Sequence, residues 1–401
     1  MVIAGGGMAG ARAAVVLRDG GWQGAITLIG EELLPPYDRP PLSKAAITDA
    51  DEAEPIVLLD AAMMQSLNVT WLVGAKAEHI DRAAKQVVLA DGRSVPYGKL
   101  LLATGATARK LPMPGAERAM VLRTFADMQA LRQAFQPGVN VAIIGGGFIG
   151  LELATSAVKR GCAVTVIEAL PRILLRAVPE EIAAVVAKAH ANHGVRIICN
   201  AQIADIGGDS VMLKDGTVVK ADILVAGIGA APSLALAEAS GLAVDNGIVC
   251  DETLRTSDPD IFAAGDCVSF PHPTFGGKRM RLESWRAAQD QAGVAAENMM
   301  GASLAYDAIP WFWSDQFDLS LQIAGLPAEG VSTVRRALKD DAFILMYLAA
   351  DGRLVGASGI GVGNTVARDI RLAEMLIAKQ AKPDPAALAD PAVQLKALLK
   401  G

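Results

Sequence analysis

A chain of 401 residues has room for two to three domains at about 150 residues each, which excludes a single small binding module. Hydrophobic residues make up 52% and charged residues 20%, a globular composition. The 37 basic against 43 acidic side chains leave a net charge of −6, which offers no electrostatic footprint for nucleic acid. Mean hydropathy is +0.34, yet the longest uncharged stretches, 133–151 and 223–237, are broken by Pro137, Pro232 and glycine clusters. They read as buried strands with turns and not as membrane helices. The chain enters a glycine cluster at once, with no export signal, and Cys162, Cys199, Cys250 and Cys267 lie far apart. A reducing cytoplasm is expected, with neither a disulfide framework nor a zinc site.

In chain order, one device occurs twice. Val2-Ile3-Ala4 runs into Gly5-Gly6-Gly7-Met8-Ala9-Gly10 and an alanine-rich helix start, and Val141-Ala142-Ile143-Ile144 runs into Gly145-Gly146-Gly147-Phe148-Ile149-Gly150. After each comes a strand ending in an acid: Glu31, 26 residues beyond Gly5, and Glu168, 23 beyond Gly145. Asp91-Gly92 precedes Gly105 as Asp215-Gly216 precedes Gly229, with 14 residues from the Asp to the later Gly in both copies. Asp-Gly pairs suit hairpin turns, so each copy is predicted to carry an antiparallel ribbon before its last strand.

The glycines have separate tasks in a strand-turn-helix unit. The first permits the tight turn, the second lets a pyrophosphate approach the backbone, and the third lets helix pack on strand. The helix N-terminus presents N–H groups and a positive dipole end to the phosphates, while the acid accepts from ribose hydroxyls. Two complete copies imply two bound dinucleotides and electron transfer from one to the other, a nicotinamide and a flavin being the natural pair. Glu168 would repel a 2′-phosphate, which favours NADH over NADPH, although Arg172 lies close in sequence.

Three further runs make the chain recognisable: Pro36-Tyr37-Asp38-Arg39-Pro40-Pro41-Leu42-Ser43-Lys44, Ala103-Thr104-Gly105, and Asp260-Ile261-Phe262-Ala263-Ala264-Gly265-Asp266. They resemble the two-dinucleotide flavoproteins. Leu282-Glu283-Ser284-Trp285 and Pro310-Trp311-Phe312-Trp313-Ser314-Asp315-Gln316 are similar to the NADH-dependent ferredoxin reductases of bacterial oxygenase systems, and the likeness covers essentially the whole chain. It implies an α/β fold with two Rossmann-like, glutathione-reductase-like domains, one for FAD and one for NAD, and a small α+β C-terminal domain. The expected boundaries are 1–106 with 233–305 for FAD, 107–232 for NAD and 306–401 for the C-terminal domain.

The resemblance also implies roles. Gly5, Gly7, Ala9, Gly10, Glu31, Arg39, Ala77, Thr104, Gly105, Arg123, Asp266 and Trp285 would hold FAD. Gly145, Gly147, Gly150 and Glu168 would hold NADH, with Glu283 at the nicotinamide carboxamide. Lys44 and Glu152 match a pair that the family places beside the flavin N5, where a lysine steadies the negative charge arriving with hydride. Without the likeness, Lys44 reads as a solvated charge and Glu152 as a first-turn helix acid. Trp313 matches a position near the flavin where a two-iron ferredoxin docks, although tryptophans in such strands are commonly core.

Other features narrow the chemistry. There is no cysteine before Cys162, so thiol redox chemistry at the flavin is not expected. His190 and His193, at i and i+3, read as an exposed helix face without a metal set. Lys278, Arg279, Arg281, Arg335 and Arg336 are candidates for a basic face toward an acidic ferredoxin. A rubredoxin reductase, an NADH oxidase and an NADH-sensing protein similar to apoptosis-inducing factor remain as alternatives.

Overall fold

The computed structural model describes residues 1–49 and 54–400, and the chain divides into two compact units. The first comprises Met1–Asp38, Pro55–Thr107 and Ala231–Ala308. Its centre is a five-stranded parallel sheet in the order Ile261–Ala263, Leu100–Leu102, Val2–Ala4, Ile26–Gly30, Val69–Val73. The three middle strands are almost entirely buried and correspondingly apolar, as parallel strands covered on both faces must be. The helix Met8–Asp19 buries Ala9, Gly10, Ala11, Ala13 and Ala14. Those small side chains let it pack closely against the helix Trp285–Met299, which buries an alanine face of its own.

The second unit comprises Arg39–Glu54, Ala108–Ala230 and Ile309–Gly401. It repeats the device with a parallel sheet in the order Arg196–Ile198, Ala163–Ile167, Asn140–Ile144, Ile223–Ala226. The helix Phe148–Lys159 follows the glycine turn. Its C-terminal part is a five-stranded antiparallel sheet ordered Trp311–Gln316, Leu319–Gly325, Leu354–Val362, Phe343–Leu348, Ser332–Ala337. The helix Ala367–Ala378 lies on it through Ile370, Ala373, Leu376 and Ile377. Arg132 ties the segment after Arg39 to this unit by donating to the carbonyls of Ala46, Ile47 and Asp49 at 2.7, 3.0 and 2.7 Å.

Both expected ribbons are present. Ala77–Asp81, Gln86–Leu89 and Ser94–Pro96 form one antiparallel sheet, and Ile203–Ile206, Ser210–Leu213 and Val218–Lys220 form the other. Gly92 at φ 85° and Gly216 at φ 87° make the turns, a conformation that a Cβ disfavours. Among the described residues no helix is long and apolar enough to cross a membrane.

Candidate functional site

The two glycine turns show what each glycine does. At Gly5, φ is +129° and an added Cβ would stand 2.0 Å from the Ala103 carbonyl oxygen; at Gly10 it would stand 2.0 Å from the Gly5 oxygen. The second turn repeats this, with a Cβ on Gly145 2.4 Å from the Gly227 oxygen and one on Gly150 2.1 Å from the Gly145 oxygen. These four positions are closed by the protein's own backbone. Gly7 and Gly147 differ, because a Cβ there would meet no heavy atom within 4 Å. Both are extended and stand just before their helices. Their missing side chains keep open the space through which a pyrophosphate reaches a helix N-terminus, so the residues present fit a dinucleotide at each turn.

In the second unit Glu168 is 9% exposed, and its carboxylate accepts from Gly146 N at 2.7 Å and from Leu170 N at 2.8 Å. It therefore braces the glycine turn. Arg172 donates to the carbonyls of Ile173 and Val178 at 3.3 and 2.9 Å. Its guanidinium is thus engaged by its own loop. In the first unit Glu31 is exposed, 3.9 Å from Lys76. Ala77 begins the first ribbon strand, Thr104 Oγ1 donates to Ser233 O at 2.8 Å, and Gly105 turns with φ 67°. Trp285 Nε1 donates to Asp38 Oδ1 at 2.6 Å. Glu283 is paired with Arg281, whose Nη1 also donates to Asp266 O at 3.3 Å. In the second unit, Arg39 donates to the Arg123 carbonyl.

Lys44, Glu152 and Trp313 meet in one cluster of the second unit. The helix Phe148–Lys159 meets the strand Trp311–Gln316 by matched periodicity, residues four apart on the helix facing alternate residues on the strand, and Lys44 comes to them from the turn after Ser43. Phe148 packs on Phe312 with ring centroids 4.5 Å apart, and one turn on Glu152 Oε1 accepts from Ser314 Oγ at 2.6 Å. Ser43 Oγ donates to Glu152 Oε2 at 2.5 Å, and Ser156 Oγ, one further turn on, donates to Ser43 O at 2.6 Å. Glu152 is 5% exposed. Lys44 Nζ stands 3.5 Å from Glu152 Oε1 and 3.0 Å from Asp315 Oδ2, and 5.2 Å above the Trp313 ring. Trp311 stacks on Trp313 at 5.2 Å. The result is a buried carboxylate with two hydroxyl donors, a largely buried ammonium and an aromatic face.

Some expectations change. His190 is fully buried, not on an exposed face, because its Nε2 meets Gln316 Oε1 at 3.0 Å on a strand 126 residues away. His193 is exposed and stacks on Phe317. The basic face dissolves at several of its members. Arg336 is 3% exposed and is held by Asp369 and the carbonyls of Leu388, Asp390 and Val393. Arg335 pairs with Glu181, and Arg279 donates to the carbonyls of Ser269 and Cys250. Sequence reasoning missed Ser43, Ser314, Asp315, Gln316 and His190 as members of the cluster, although the first four stand inside motifs already singled out. Among the described residues no group of three or more potential metal ligands is found.

Two strand-glycine-helix units, each followed by an acid and an antiparallel ribbon, define a protein built to hold two dinucleotides. Residues 1–292 match the family described as pyridine nucleotide-disulphide oxidoreductase, and residues 311–399 match the module described as reductase C-terminal. The chain belongs to the pyridine nucleotide-disulphide oxidoreductase family. It is 42% identical to the anthranilate 1,2-dioxygenase system ferredoxin–NAD(+) reductase component of Burkholderia cepacia, over 99% of this chain and 98% of that protein. It is 35% identical to putidaredoxin reductase of Pseudomonas putida, over 100% and 96% of the two chains. Among solved structures, the covalent putidaredoxin reductase–putidaredoxin complex matches with a TM-score of 0.92 at 33% identity, covering 100% of this chain and 97% of that one.

Proposed function

We propose that this protein is an NADH:ferredoxin oxidoreductase, a flavoprotein that supplies a Rieske-type or haem-thiolate oxygenase through a small iron-sulfur protein, and that it works in the cytoplasm. Bound FAD would supply the chemistry that converts one hydride from NADH into two single electrons and a released proton. The observation that carries the reading is the pairing of two open glycine turns, at Gly7 and Gly147, with relatives of the same length that are named as such reductases.

The chain's own residues have defined tasks in this reading. The first turn, with Glu31, Arg39, Thr104, Arg123, Asp266 and Trp285, binds FAD; the second, with Glu168, binds NADH. Lys44 would offer its ammonium to the bound flavin, where it would steady the charge that arrives with hydride, and Glu152 would keep the lysine from swinging into solvent. Asp315 and the Trp313 face flank the ammonium from the strand. Trp313 would serve as the electron exit toward ferredoxin. No side chain with a tuned acid-base pKa is demanded by hydride transfer.

The test is NADH consumption by the FAD-loaded protein in air, with and without a two-iron ferredoxin coupled to cytochrome c. Strong stimulation by ferredoxin is expected; equal consumption without it would make oxygen the acceptor, and negligible consumption in both would favour a sensing protein. Stimulation by rubredoxin alone would name that acceptor instead. The two half-reactions then separate: Lys44→Ala slows flavin reduction by NADH while FAD stays bound, and Trp313→Ala slows only ferredoxin reduction.

A further inference from the structure

Beyond Ser314 the hydrogen bonds at Glu152 continue through the protein. Gln316 Nε2 donates to Ser314 Oγ at 2.9 Å, and Gln316 Oε1 meets His190 Nε2 at 3.0 Å. Ser314, Gln316 and His190 are all completely buried. The direction of the chain follows from its ends. A carboxylate only accepts, so the Ser314 hydroxyl points its hydrogen at Glu152 and must accept from the Gln316 amide. That amide then turns its oxygen to His190, which answers with Nε2–H. His190 Nδ1 is buried and has no hydrogen-bond partner, which suits a bare lone pair far better than an N–H. Burial pushes the imidazole pKa down, in keeping with the neutral ring. Phe317, in the left-handed region at φ 58°, lies edge-on to His190 at 5.0 Å and stacked on His193 at 3.8 Å, fixing the ring in place.

We propose that His190 is a positioning residue for the Lys44–Glu152 pair: its Nε2–H sets the orientation of the Gln316 amide, which commits the Ser314 hydroxyl to Glu152 Oε1. This rests on the reading of Lys44 and Glu152 as the pair beside the flavin. The chain does not conduct protons, because an amide cannot pass one on without becoming an imidic acid. Its effect is orientation. With Nε2–H removed, the Gln316 amide can turn its oxygen toward Ser314 and capture that hydroxyl. Glu152 then loses one donor from Oε1, the oxygen that also faces Lys44, and draws the ammonium toward itself, away from Asp315 and the Trp313 face.

Two measurements on the FAD-loaded protein test this. In stopped flow, His190→Phe is expected to slow flavin reduction at saturating NADH by roughly tenfold, the size of one lost hydrogen bond to a charged group, with the KM for NADH and the FAD content unchanged. His190→Gln, whose amide N–H reaches the same acceptor, restores the rate. A merely structural role would lower stability in both variants without this split, and equal rates in wild type and His190→Phe would overturn the proposal. Imidazole nitrogen NMR reads the chain independently of turnover. His190 is expected as the Nε2–H tautomer, and its signal shifts in Ser314→Ala, where the Gln316 amide loses the hydroxyl that fixes its orientation. An unmoved His190 signal in that variant would refute the coupling. A normal rate in Lys44→Ala with a shifting His190 signal would instead remove the role of the lysine and leave the chain intact.

Discussion

Glu152 is a charge taken almost wholly out of water, and the cost is met by two hydroxyl donors and one ammonium. Its partners are unequal. Lys44 is 23% exposed, and its second partner Asp315 is 45% exposed, so that outer pair adds little to stability. Removing Glu152 strands the buried Ser43 and Ser314 hydroxyls, a loss of about 3 kcal/mol or more for a broken buried charge site. Denaturant unfolding should therefore show Glu152→Leu strongly destabilised and Lys44→Met within about 1 kcal/mol of wild type. Equal losses would mean that the ammonium, and not the hydroxyls, carries the burial. These residues were legible only in part. Lys44 and Glu152 emerged from a family likeness, because neither stands in a pattern that alone implies chemistry. His190 and Arg336 were misread for the same physical reason: their partners, Gln316 and the 388–393 carbonyls, are remote in sequence, and a polar side chain shows its burial only through them.

At the level of elements, the strand-glycine-helix units were readable because the spacing that marks them is local, although the carbonyls that close Gly5 and Gly145, those of Ala103 and Gly227, are remote in sequence. Spacing places the glycines, the helix and the acid, and the Asp-Gly turns place both ribbons, so no distant contact had to be foreseen. What the spacing did not distinguish was which glycine serves the fold and which the ligand. The structure separates them, and the two classes should behave differently. Gly10→Ala drives a methyl to 2.0 Å from the Gly5 oxygen and Gly150→Ala drives one to 2.1 Å from the Gly145 oxygen, so each should lower the melting temperature and the yield of folded protein. Gly7→Ala and Gly147→Ala enter open space and should fold normally. Gly7→Ala should lose FAD on gel filtration, whereas Gly147→Ala should keep FAD and raise the KM for NADH. Normal nucleotide binding by both variants would show that the open space serves neither pyrophosphate.

Over the whole molecule, buried titratable groups bound the pH range in which the fold is stable. His190 and His272 are fully buried, and both are pushed below the ordinary histidine value of about 6.5, first by loss of solvent; the hydrogen bonds to Gln316 and to the Ala308 carbonyl offset this only in part. A depressed folded-state pKa means that the unfolded chain binds protons the native one refuses. The contribution of each histidine is complete above about pH 6.5 and is lost as pH falls below it, by up to about 1.4 kcal/mol per pH unit for each ring until its native pKa is passed. At the alkaline end the sign reverses. Burial raises the thiols of Cys162, Cys250 and Cys267 above 9.0 and Tyr97 up to about 12, so the stability they contribute is present at neutral pH and is lost as pH climbs past the unfolded thiol value. Denaturant unfolding at constant excess FAD should give a plateau from about pH 7 to 8.5 with a decline on either side. Replacing His190 and His272 together by glutamine should flatten the acid limb above pH 5, since the carboxylates with lowered values, Asp91, Asp215, Asp222, Asp260 and Asp351, titrate below their ordinary range. A limb that persists in the double variant would assign the acid sensitivity to groups other than these two rings.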